Sequence, residues 1–117
     1  MGIWDTIKGF TRSPSKLYVF ENGVLYAFNP KEDYLKRGRN AEDLARDIVR
    51  DGYGLSEDIR VESVGYKEMP RAARKKLESC VGVVDHIRHI HREDISRFRD
   101  SLQKQFQIKL GKRIKVE

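Results

Sequence analysis

A chain of 117 residues, 38% apolar and 36% charged, has room for one hydrophobic core beneath a heavily charged surface. Its apolar stretches fall far short of the ~20 residues that a membrane-crossing helix needs, and it opens without the basic flank and apolar run of a secretory leader. Cys80 is its single cysteine, so an internal disulfide is excluded and a reducing, cytoplasmic setting is expected.

In chain order, Ile3, Trp4, Ile7 and Phe10 share one face at helical spacing, predicting a short amphipathic helix over 2–11 that caps the core or anchors at an interface. The Ser13-Pro14-Ser15 cluster ends it. We therefore read a single domain, 1–117, in which 1–15 is an amphipathic segment and linker and 16–117 is the core. Over Lys16 to Phe28, two strand-like runs flank Asn22-Gly23, as in a β-hairpin. A two-residue turn sets Leu25 opposite Phe20, Tyr26 opposite Val19 and Phe28 opposite Leu17. Both faces of that hairpin are apolar, so it is either covered on both sides or offers Tyr18 and Phe20 to a partner.

Asn29-Pro30 closes the hairpin, and Lys31 to Arg39 reads as a polar loop containing the basic run Lys36-Arg37-Gly38-Arg39. Asn40 is a natural N-cap for a helix with acidic Glu42 and Asp43 in its first turn and Leu44, Ile48 and Val49 on its apolar face. Ile59, Val61 and Val64 predict a further strand. From Pro70 the apolar positions Ala73, Leu77, Cys80, Val84, Ile87, His91, Ile95, Phe98 and Leu102 are spaced by three and four. Unbroken, that seam is a helix of roughly 50 Å, too long for a compact domain of this size. Either it breaks, at Gly82 or near Arg92-Glu93-Asp94, or it pairs with a second copy through Leu77, Val84, Ile87, His91, Ile95, Phe98 and Leu102. Beyond it, Phe106, Ile108 and Leu110, then Ile114 and Val116, alternate as a short terminal strand pair. The fold class is α+β: a hairpin, a middle helix and strand, a long C-terminal helix, continuous or broken, and that strand pair.

Charge is divided unevenly. Residues 1–69 carry 11 Lys/Arg against 12 Asp/Glu, whereas residues 70–117 carry 13 against 6. The positive excess lies in Arg71, Arg74, Lys75, Lys76, Lys104, Lys109, Lys112, Arg113 and Lys115 among others, a pattern that attracts polyanions by releasing their counterions. No recognised nucleic-acid-binding motif accompanies it, so any readout is of backbone rather than of sequence. All three histidines cluster between His86 and His91. On a helix, His86, His89 and Glu93 would share a face and could hold a metal ion, although Arg88 and Arg92 would oppose a dication. Phosphate-loop, nucleophile-elbow and dinucleotide motifs are missing, and Cys80 on the apolar stripe reads as a small hydrophobe. The sequence thus predicts a small non-enzymatic module without cofactor, binding nucleic acid or an acidic protein surface through its basic half, as a homodimer. An adaptor acting through the apolar hairpin and seam, and a metal-dependent hydrolase built on the histidines, are the alternatives.

Overall fold

The computed structural model describes residues 15–52, 58–82, 86–111 and 113–117. The amphipathic segment expected over 2–11, together with Val84 and Lys112, lies outside them. Eight elements follow one another: β1 (Ser15–Asn22), β2 (Val24–Asn29), β3 (Tyr34–Gly38), α1 (Ala41–Arg50), β4 (Asp58–Ser63), α2 (Arg71–Val81), α3 (Arg92–Leu110) and β5 (Lys115–Val116). The strands form one mixed sheet in the order β3-β2-β1-β4-β5. β1, β2 and β3 are an antiparallel meander, while β4 is parallel to both β1 and β5.

The hairpin forms where Asn22-Gly23 places it, with Gly23 at φ 82°, but its register is one residue longer than a two-residue turn gives. Glu21 pairs with Leu25, Phe20 with Tyr26 and Tyr18 with Phe28. This shift sorts side chains by size. Tyr18, Phe20, Tyr26 and Phe28 share one face, with the Phe20 and Tyr26 rings stacked at 5.3 Å, and the smaller Leu17, Val19, Leu25 and Ala27 share the other. Both faces are covered. The aromatic face packs on Ala73 and Leu77 of α2, with Val64, Met69 and Ile87. The aliphatic face packs on Ala41, Leu44, Ala45, Ile48 and Val49 of α1 and on Phe98, Leu102 and Phe106 of α3.

The polar run expected to be a loop, Lys31 to Arg39, contains β3. Its alternation is thin because β3 is an edge strand whose residues are mostly half-buried or exposed. The turn before it is held by Asn29, whose side-chain oxygen accepts the N–H groups of Lys31 and Glu32 at 3.0 and 3.2 Å. Asn40 caps α1 as its residue type predicts, its side chain accepting the Asp43 N–H at 2.8 Å.

The seam is not one helix. It breaks after Val81 at Gly82 and resumes at Arg92, both places where the sequence permits a break. Between them, 86–90 is not helical, and Arg88 forms a single antiparallel bridge with Glu21, exchanging backbone hydrogen bonds at 2.8 and 2.9 Å. The described seam residues are distributed over the chain's own core: Leu77 and Ile87 on the aromatic side, Phe98 and Leu102 on the aliphatic side, with Ile95 half-buried beside them. His91, placed in the seam by its spacing, is exposed as the residue preceding α3, and Cys80 is also exposed rather than buried on an apolar stripe. The strand expected at Phe106 to Leu110 is the last part of α3. Helical geometry puts Phe106 and Leu110, four residues apart, on the core side and turns Ile108, two residues from each, to the outside at 69% exposure, so the apparent strand alternation joins residues on opposite faces of a helix. Only Lys115–Val116 is a strand there, and the chain continues through Glu117, whose N–H and C=O bond to Ile59 and Val61.

Candidate functional site

The basic residues singled out from the sequence divide between the two faces of the sheet. Arg71, Arg74, Lys75 and Lys76 are on α2, over the aromatic face, whereas Lys104 and Lys109 are on α3, over the aliphatic one, and Arg113 and Lys115 lie just before and on β5, the edge strand farthest from β3. Several have local partners. Lys76 pairs with Asp33 and donates to the Pro30 carbonyl at 2.7 Å, fixing α2 to the β2–β3 turn. Arg74 lies 5.0 Å over the Tyr66 ring. Lys109 donates to the Val49 carbonyl at 2.7 Å, Arg113 to the Gln103 side chain, and Lys115 pairs with Glu117 at 2.8 Å. Arg71, Lys75 and Lys104 are exposed without an ion pair among the described residues.

Among the described residues, another set of cations converges on one groove. A groove of about 460 Å³ at the end of β3 is lined by Arg37 and Arg39 from the strand and its exit, Arg46 and Arg50 one turn apart on α1, Val24, Gly38, Asp43 and Asp47. The strand period brings Arg37 and Arg39 to one side, and the helix period brings Arg46 and Arg50 together. Asp43 accepts from Arg46 at 3.0 Å and Asp47 from Arg50 at 2.7 Å. Arg37 and Arg39, both exposed, make no ion pair among the described residues. The aspartates therefore orient two of the four guanidinium groups and leave two positive charges uncompensated. Arg37 also borders a neighbouring hollow of about 470 Å³ formed by Tyr26, Leu35, Lys36, Cys80 and Val81, so the basic surface continues along β3 toward α2.

Sequence reasoning missed this groove because it placed Lys36-Arg37-Gly38-Arg39 in a loop. Reading β3 as a strand, with Arg46 and Arg50 four apart on the helix that follows, would have found it.

Around the histidines, the shared helical face required for a metal trio does not form. His86 and His89 lie on the non-helical segment before α3 and Glu93 in its first turn. Among the described residues, no group of three or more His, Cys, Asp or Glu side chains is arranged to hold a metal ion. No helix among them is long and apolar enough to cross a membrane. The electrostatics nearby are those of ion pairs that join elements. Asp51 is held below its ordinary range, chiefly by its hydrogen bond with Lys36 and also by the Tyr34 hydroxyl, and so ties the end of α1 to β3. Comparison of the chain with protein-family models, with curated proteins and with solved structures finds no match.

Proposed function

We propose that this protein is a binding module for the phosphate backbone of nucleic acid, and that it takes the backbone along the arginine groove between β3 and α1. The observation that supports the reading is the convergence of Arg37, Arg39, Arg46 and Arg50 on one groove in which only two aspartates answer them. Guanidinium groups suit this role because they present paired donors to phosphate oxygens. Arg71 and Lys75, exposed on α2, lie on the side of the sheet toward which the surface continues and extend the path. The basic residues of α3 lie over the opposite face and those at β5 along the far edge of the sheet, and several are engaged with the chain's own backbone or carboxylates, so they serve solubility and local packing.

Affinity for a random duplex or single strand should fall steeply with salt and vary little with sequence. Replacing Arg37 and Arg39 by Gln should reduce the log-log salt slope by about 1.5 to 2, whereas Lys109→Gln with Arg113→Gln should change it by less than about half a unit. Undetectable binding of the parent chain to any nucleic acid at low ionic strength would sink the proposal.

A further inference from the structure

Two strands in from the β3 edge, β1 and β4 run parallel, and Ser63, the last residue of β4, pairs with Val19 while β1 continues to Asn22. After β1 the chain turns toward β2 and β3, and after β4 it leads on to β5 on the other side. The segment 86–90 runs alongside β1 here. Its backbone pairing with Glu21 fixes Arg88 and thereby sets His89 against the end of β4.

There His89 Nδ1 lies 2.8 Å from Ser63 Oγ, and its Nε2 lies 3.1 Å from Glu68 Oε1. The other Glu68 oxygen accepts the Gly65 N–H at 3.1 Å, which fixes the carboxylate. Gly65 has to lack a side chain for the array to close: a Cβ there would stand 2.8 Å from that same oxygen and 3.1 Å from the His89 ring. A hydroxyl, an imidazole and a carboxylate are thus in line, the hydroxyl donating to Nδ1 while Nε2–H donates to the carboxylate. Glu68 is held below its ordinary range, first by the hydrogen bond from His89 and then by backbone N–H groups, so it is ionised when the imidazole needs it.

We infer that Ser63 is a nucleophile activated by His89 and oriented through Glu68, and that it accepts the acyl group of small, unhindered esters. The half-exposed setting of all three side chains suits a small substrate approaching from solvent. In the first step Ser63 Oγ forms a bond to the ester carbonyl carbon, its proton passes to His89 Nδ1, and the bond to the leaving alcohol breaks as that oxygen takes the proton. Water then attacks the acyl-serine, gives its proton to Nδ1, and releases the acid as Ser63 Oγ regains it. Glu68 remains ionised throughout as a positioning residue.

The test uses the full chain and p-nitrophenyl acetate. Peptide mass spectrometry should find the acetyl group on Ser63. Nitrophenolate release should fall about 100-fold in Ser63→Ala and in His89→Gln, while His91→Gln, at an exposed histidine outside the array, should match the parent. Glu68→Gln should slow release by lowering kcat with KM unchanged, and Glu68→Asp should restore part of the loss, a pattern that a merely structural anchor would not produce. Release unchanged in both Ser63→Ala and His89→Gln, or acetylation confined to lysines, would overturn the inference. If either variant loses its native melting transition, a fluorophosphonate applied to the parent chain decides. Formation of an Oγ–P bond at Ser63 with loss of fluoride supports the nucleophile, and an unlabelled Ser63 removes it.

Discussion

Asn40 lies in extended backbone immediately before α1, and its side chain meets the Asp43 N–H, one of the donors that a helix start leaves without a partner. Asn40→Ala should therefore cost about 1 kcal/mol in urea unfolding, with Asn40→Asp close to neutral. Such a cap is legible in sequence because its partner is three residues away. The Ser63 and His89 side chains are 26 residues apart and meet only because 86–90 pairs with β1, so nothing local announces them. The same reasoning explains Cys80 and His91. Both sit at apolar positions of a continuous wheel, and both are exposed because the chain stops being helical between them.

Among the elements, α3 carries the clearest division of labour. Phe98, Leu102 and Phe106, four residues apart, are at most 1% exposed and meet both α1 and the aliphatic face of the sheet. Leu102→Ala should destabilise the protein by about 2 to 5 kcal/mol through lost burial and the cavity left behind. Ile108→Gln, on the outward face, should stay within about 0.5 kcal/mol. A urea titration of both variants compares them directly. The helix periods of α2 and α3 were readable, but their apparent common phase was not a common surface. α2 serves the aromatic side of the sheet and α3 the aliphatic side, and the chain passes between them through 86–90, where Ile87 and Ile90 belong to opposite layers. Hydrophobic spacing records that a residue is buried, not which side of a sheet buries it. β3 was missed for the complementary reason, since an edge strand with few buried residues has little alternation to read.

Over the whole molecule, depressed carboxyls join parts distant in sequence. Glu42, lowered first by its own backbone N–H and then by Arg97, links α1 to α3 at 3.1 Å. Asp51 links α1 to β3, and Glu117, lowered chiefly by Lys115, sits beside β4 near Arg60. Each folded-state value lies below the unfolded one, so the folded state binds fewer protons. The associated stability is present above the ordinary carboxyl range of about 4 to 4.5 and is lost as pH falls through the lowered values. The urea midpoint should hold between pH 7 and 5 and drop as pH is lowered from about 4.5 to 2.5, with the drop reduced in Asp51→Asn. Each contribution is modest because these groups are exposed to solvent.

The outer edge of the sheet has a further consequence for how copies of the chain treat one another. Among the described strands β3 is at the end of the sheet, and an edge strand is the kind of template on which sheets can grow from molecule to molecule. Lys36 and Arg37 stand in the middle of that five-residue strand. Two copies aligning there in antiparallel fashion would bring these cations against their counterparts, and like charges placed opposite one another destabilise a strand pair. The basic edge thus acts as a guard against runaway sheet extension, and it is a guard that only a negatively charged visitor would lift.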